Sequence, residues 1–228
     1  MYHYIDDKEF LGKLRKVTSD CVNRLVNLIN NEDYLKVKAH LVGSGAHNMV
    51  TQNANEPIDL DFNLVIIGIN GDINDCKTIK NYIMNKYNEV LNELDWGNCN
   101  DSTSALTTKN RYFTDGNQTL WSIDLGIIVQ NQDGRWWRLK HHKSGYYQNN
   151  EWFWNEGPST NGLTSKVNNL KSNNLWEEVR ECYLEKKNMY LTRNDYNHPS
   201  YVCYIEAVNE VYGRYKWTKS SKWSFKTS

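Results

Sequence analysis

Ile58-Asp59-Leu60-Asp61-Phe62-Asn63-Leu64-Val65-Ile66-Ile67 changes character halfway along. Its first half alternates apolar and polar residues, and its second half turns wholly apolar. Alternation with a period of two predicts a strand buried on one face, and a continuous apolar run predicts a strand buried on both. The stretch therefore reads as a strand that leaves a polar cleft and enters the middle of a sheet. Residues i and i+2 of a strand share a face. Asp59 and Asp61 then stand side by side at one end, with Ile58, Leu60 and Phe62 turned the other way. Two carboxylates so close are unfavourable without compensation. A divalent cation supplies it, and Mg²⁺ prefers carboxylates together with substrate phosphates and water.

Working outward, Thr119–Gln130 has the same frame, with Trp121, Ile123 and Leu125 alternating around Ser122, Asp124 and Gly126. If this strand lies beside the first, Asp124 joins the pair. Three carboxylates can hold two metal ions about 3.5–4 Å apart, the arrangement used for in-line phosphoryl displacement. Upstream, Val37–Val42 reads as a strand that ends at Gly43-Ser44-Gly45. Backbone N–H groups at such a turn can face an anion, the Ser hydroxyl adds a donor, and glycine permits close approach of phosphate oxygens.

Leu41-Val42-Gly43-Ser44 followed by Ile58-Asp59-Leu60-Asp61-Phe62 resembles the signature of the polymerase-β-like nucleotidyltransferase superfamily, over roughly residues 36–130. That signature is an apolar strand, Gly-Ser, a short helix, Asp-x-Asp between apolar residues, and a third Asp on a later strand, which Asp124 matches. The resemblance implies an α+β fold: a mixed β-sheet nucleotidyltransferase core with a C-terminal helical portion. It implies Mg²⁺ (or Mn²⁺) as cofactor and a nucleoside triphosphate (NTP) as substrate, the α-phosphorus being attacked by a hydroxyl with release of pyrophosphate. By the same resemblance Asp59, Asp61 and Asp124 are catalytic and hold the metal. Gly43 and Ser44 hold the triphosphate, and Asn48 and Lys166, early in its helix, join the nucleotide site. The spacing from Ser44 to Asp59, fifteen residues, is longer than the family pattern leads one to expect.

The remainder of the chain fits such a core. Residues 8–31 carry Phe10, Leu11, Leu14, Val17, Cys21, Leu25, Leu28 and Ile29 at three- and four-residue steps, an amphipathic helix. A second helix is expected over 74–94, with a turn at Gly68–Asp72 before it. β-like runs are expected at Ala105–Phe113 and Gly134–Lys143. The stretch 146–160 reads as aromatic and irregular. Helices follow at 163–172, at 175–192 with Asn174 as N-cap, and at 199–212 opened by Pro199. The tail 216–228 reads as peripheral. The expected division is 1–145 for the core with its N-terminal helix and 146–228 for the aromatic connector and helices.

Composition narrows the function classes. Of 228 residues, 27 are Lys or Arg and 27 are Asp or Glu, so net charge is zero. This favours a small molecule or nucleotide over long nucleic acid as the acceptor. No stretch reaches the roughly 20 apolar residues of a membrane span, and the N-terminus has no basic and apolar signal segment. Five scattered cysteines without C-x-x-C read as reduced thiols in the cytoplasm. Asp59-x-Asp61-x-Asn63 is not a calcium loop, since Leu and Phe intervene and no Gly occupies the sixth place. Gly43-Ser44-Gly45 lacks the Gly-Lys-Ser/Thr ending of a P-loop. A nucleophile elbow is absent, and His47, His141 and His142 show no zinc spacing. Trp136-Trp137, Tyr146-Tyr147 and Trp152-Phe153-Trp154 read as a packing layer between the sheet and the C-terminal helices, or as a stacking platform for a base or sugar. Two further readings therefore stand beside the enzyme: a catalytically silent nucleotide-binding or regulatory protein, and an aromatic-rich carbohydrate-binding module.

Overall fold

The computed structural model describes residues 1–144, 149–157, 162–191 and 200–224. The elements in order are β1 (Tyr2–Tyr4), α1 (Lys8–Asn30), β2 (Leu35–Leu41), α2 (Gly43–Ala46), β3 (Thr51–Asn53), β4 (Ile58–Ile69), α3 (Cys76–Glu93), β5 (Asn100–Asp101), β6 (Leu106–Thr107), β7 (Trp121–Gln130), β8 (Trp136–His142), β9 (Glu151–Glu156), α4 (Leu163–Ser172), α5 (Trp176–Tyr190) and α6 (Ser200–Ser224). The chain divides into two compact units, Ile5–Pro158 and Ser159–Ser228 with Met1–Tyr4.

The larger unit holds a seven-stranded mixed sheet in the order β2-β4-β7-β6-β5, with β8 and β9 extending it from β7. β4 runs parallel to β7, and every other pairing in this sheet is antiparallel. β7 serves two neighbours along one edge: β6 takes Asp124 and Leu125, and β8 takes Ile128 to Gln130.

One face of the sheet is apolar because the alternation of β4 and β7 puts it there. Ile58, Leu60, Phe62, Leu64, Ile123, Leu125 and Ile127 are buried in one core with residues of α1 and α3. α1 begins where Asp7 accepts a hydrogen bond from Phe10 N at 2.9 Å, an N-cap. It buries Phe10, Leu14, Cys21, Val22, Leu25 and Ile29, a stripe at helical spacing. α3 begins likewise at Asp75, which accepts from Thr78 N at 3.1 Å, and buries Ile79, Ile83, Tyr87, Val90 and Leu91. All five cysteines are buried thiols. Among the described residues no helix is long and apolar enough to cross a membrane.

The smaller unit consists of α4, α5 and α6 with β1. Tyr2 N donates to Asn188 Oδ1 at 2.7 Å, Asn188 returns the bond to Tyr2 O at 3.0 Å, and the Tyr4 hydroxyl donates to Arg180 O at 2.6 Å.

Several sequence expectations are corrected here. Residues 151–156 are a strand, paired residue for residue with β8 from His142↔Glu151 to Trp137↔Glu156. β8 and β9 both belong to the larger unit. Trp154 Nε1 donates to Ile73 O at 2.8 Å, and Trp152 stacks on His141 at 4.2 Å, so these aromatics pack onto the larger unit's own core. Only Leu106–Thr107 of the Ala105–Phe113 run is strand, with one further bridge at Arg111. β4 runs through Gly68 and Ile69, which pair with Lys36 and Leu35 instead of turning. Asn174 is not an N-cap: it has φ +58 just past the end of α4, and Leu175 precedes α5 without a side-chain cap. The helix expected over 199–212 runs from Ser200 to Ser224, through most of the supposed tail. Pro199, Tyr146 and Tyr147 lie outside the described residues.

Candidate active site

The face opposite the helices carries the polar alternates. Register across the parallel pair is Asp59↔Ser122, Asp61↔Asp124 and Asn63↔Gly126. Asp61 and Asp124 are therefore direct neighbours on adjacent strands, and Asp59 stands two residues before Asp61 on the same side. Asp59 is exposed, and Asp61 and Asp124 are half-buried.

Each end of the carboxylate group is braced by a hydroxyl. Ser122 Oγ donates to Asp59 Oδ1. Thr107 Oγ1, from β6, donates to Asp124 Oδ1 at 2.6 Å. Burial pushes the Asp124 carboxyl above its ordinary range; the Thr107 hydroxyl opposes this, the Asp59 charge adds to it, and Arg138 opposes it. Arg138 reaches this face from β8. Its guanidinium lies over Gly126, where a Cβ would come within 3.0 Å of its carbon, and donates to Asn63 Oδ1 at 3.0 Å.

Gly43 closes the group from the β2 side. Val42 N donates to Asp61 O at 2.9 Å, which pins the end of β2 to β4. Gly43 then turns with φ +61, the left-handed region that glycine enters without penalty. A Cβ on Gly43 would sit 2.8 Å from Asp61 Oδ2. Ser44 follows in the single turn of α2, its carbonyl accepting from Met49 N at 2.9 Å.

The structure thus brings Gly43, Ser44, Asp59, Asp61 and Asp124 to one end of β4 and β7. Asn48 is exposed with φ +57, beyond α2. Lys166 belongs to the smaller unit, where its Nζ donates to Asn209 Oδ1 at 2.6 Å and lies 5.9 Å from the Tyr212 ring centre. Sequence reasoning missed Thr107, Ser122 and Arg138. Ser122 owes its place to register between strands far apart in the chain, and Thr107 and Arg138 to the pairing of β6 and β8 with β7.

The carboxylates suit a hard divalent cation: all-oxygen donors, two of them in direct register, with Asp59's negative charge acting on Asp124. Among the described residues, no three acidic, histidine or cysteine side chains are already gathered at ligand distance of one point. Asp59 and Asp124 each accept a hydrogen bond from a neighbouring hydroxyl.

No family model matches the chain, and no curated protein matches it by sequence. Solved structures do match. E. coli MS115-1 CdnC with ATP is similar at a TM-score of 0.55 and 13% identity, over 89% of this chain and 61% of that one. The E. coli MS115-1 CdnC:HORMA-deltaN complex is similar at 0.52 and 13%, over 92% and 61%. The chain spans about three-fifths of the length of these structures. At this identity the likeness is one of fold: the chain has the mixed α+β fold of the polymerase-β-like nucleotidyltransferases, with helices at its C-terminal end.

Proposed function

We propose that this chain transfers a nucleoside monophosphate from an NTP to a hydroxyl, with a divalent metal, and releases pyrophosphate. The observation that carries the reading is the register of Asp61 with Asp124 across two parallel strands, with Asp59 two residues before and Gly43 against Asp61 Oδ2. The similarity to a structure holding ATP supports a nucleotide as the donor.

In this reading Asp59, Asp61 and Asp124 hold Mg²⁺ or Mn²⁺, which supplies charge neutralisation for the phosphates and the leaving pyrophosphate. Gly43 lets phosphate oxygens come close to the backbone, and the Ser44 hydroxyl donates to them. Arg138 adds a fixed positive charge on the same face. Asp124 would take the proton of the acceptor hydroxyl, whose oxygen bonds the α-phosphorus as the bond to pyrophosphate breaks. Most of the acceleration then comes from positioning and from charge set in place beforehand. Asn48 remains a proposed nucleotide contact. The acceptor is a small molecule or a nucleotide, in keeping with zero net charge. Five buried thiols suit action in the cytoplasm.

The carbohydrate-module reading loses ground because Trp152 and Trp154 are taken up by the core rather than offered as a platform. The test is a screen of the four common NTPs with Mg²⁺ or Mn²⁺ over a panel of hydroxyl acceptors, scored by pyrophosphate. Metal-dependent release with at least one nucleotide is expected. Release no higher than in chelator, across the whole panel, overturns the proposal.

Gly43→Ala is a second check. Alanine at φ +61 costs about 1–2 kcal/mol, and its methyl displaces Asp61 Oδ2. A side chain moved by an ångström at a reacting centre costs about 100-fold in rate. Pyrophosphate release should therefore fall by that order while the melting temperature drops by only a few degrees. Wild-type turnover in this variant would remove Gly43 from the site.

A further inference from the structure

We infer that Thr107 and Ser122 are positioning residues that fix two of the three carboxylates for the metal; the inference rests on the nucleotidyl-transfer reading above. Each hydroxyl donates to one oxygen of its carboxylate, Ser122 to Asp59 Oδ1 and Thr107 to Asp124 Oδ1. A carboxylate has two oxygens, so Oδ2 of each is left for a cation. A charged acceptor makes these hydrogen bonds stronger than neutral ones. They restrict the rotation of short acidic side chains that otherwise repel one another.

The two donors are themselves held rigidly. Ser122 is buried, and its register partner across the parallel pair is Asp59 itself. Thr107 stands on a strand of only two residues, which would be a poor support if it were held by pairing alone. The structure supplies more. Leu106 and Thr107 pair with Leu125 and Asp124. Next to them Thr108 N donates to Ile123 O at 3.0 Å, and the Thr108 hydroxyl accepts from Ile123 N at 2.9 Å, a side chain completing what the backbone ladder leaves open. Thr108 is buried, so water does not compete for these bonds. Behind β6, β5 is clamped by Asp101, which pairs with the buried Lys80 of α3 at 2.6 Å and with His141 Nδ1 of β8 at 2.6 Å. The hydroxyl that holds Asp124 is thereby tied to α3, β7 and β8.

Thr107→Val keeps the branched shape and removes the hydroxyl; Thr107→Ser keeps the hydroxyl. Ser122→Ala removes the other donor. Groups that orient metal ligands typically contribute 10–100-fold to metal affinity or activity. The measurement is Mn²⁺ binding in the presence of a non-hydrolysable NTP analogue, followed by water-proton relaxation, alongside pyrophosphate kinetics and melting temperature. Thr107→Val and Ser122→Ala should each raise the Mn²⁺ half-saturation about 10- to 100-fold and lower kcat more than they raise KM. Thr107→Ser should restore both. If Thr107→Val binds Mn²⁺ as the wild type does, or if Thr107→Ser loses as much as Thr107→Val, the positioning role fails while the transfer reading stands. If the wild type itself shows no Mn²⁺ binding with the analogue, the transfer reading fails and this inference falls with it.

Discussion

Asp59→Asn and Asp61→Asn should each lower pyrophosphate release by about a thousandfold or more and leave the protein folded. A thousandfold is roughly 4 kcal/mol of barrier, the scale expected when a charge that holds a catalytic metal is removed. Asparagine keeps the size of aspartate and can still accept from Ser122 at position 59. Packing around the site is therefore retained, and what is lost is the charge. Stability should hold for an electrostatic reason. Asp59's charge helps to push Asp124's carboxyl above its ordinary range. A carboxyl raised on folding binds protons more readily in the folded state. Its ionised form therefore costs stability, and that cost grows as pH rises from the ordinary carboxylate value through the raised one. Removing Asp59's charge lessens the cost, so at neutral pH the melting temperature of the metal-free variant should equal or exceed that of the wild type. Calorimetry without metal and a pyrophosphate assay with it check both halves. Wild-type release from either variant, or a fall of more than about 4 °C, on the order of 1–2 kcal/mol for a chain of this size, contradicts the account.

How much of this could be read beforehand follows from the range of each signal. β4 and β7 are legible because their patterns are local: every second residue is apolar, and aspartates stand among the residues between. α1 and α3 are legible for the same reason at a longer period. The strand β9 was not, because Glu151-Trp152-Phe153-Trp154-Asn155-Glu156 places three aromatics in a row between polar flanks, a pattern with no buried and exposed sides until β8 is beside it. The three aspartates of the site sit in such local frames. Thr107 and Ser122 do not declare themselves, since a hydroxyl residue in a strand is ordinary until register sets it against a carboxylate. Arg138 is likewise one basic residue among several in β8, distinguished only by Gly126 beneath it and Asn63 beside it.

The group formed by Lys80, Asp101 and His141 was the least legible of all, and it supports the second large effect. A lysine in an amphipathic helix reads as solvated, yet Lys80's side chain is only 2% exposed, 2.6 Å from Asp101 Oδ1 and 2.8 Å from the Ser102 carbonyl. Burial lowers Lys80's proton affinity, and Asp101 draws it back up. His141 offers Nδ1 to the other carboxylate oxygen, while its buried Nε2 has no hydrogen-bond partner among the described residues. With a proton on Nδ1 the ring donates to that oxygen. Asp101→Ala removes the acceptor for both groups and leaves an ammonium in the interior without its counter-charge. Breaking a buried pair in this way costs about 3–5 kcal/mol, equivalent to a fall of about 10 °C in melting temperature for a chain of this size. The sign of the pH dependence follows from Lys80. A lysine whose proton affinity is lowered on folding gives up its proton more readily in the folded state, so stability rises with pH between the lowered value and the ordinary lysine value. The deficit of Asp101→Ala should therefore narrow in alkaline solution. Lys80→Met with Asp101→Asn should recover most of the loss, because the isolated charge is gone and the volume is kept. Urea unfolding of the wild type, Asp101→Ala and the double variant at neutral and alkaline pH measures each of these. A cost below about 1 kcal/mol for Asp101→Ala would mean that water reaches the Lys80 ammonium. β5 would then not be clamped through Asp101, and the rigidity claimed for Thr107 would rest on β7 alone.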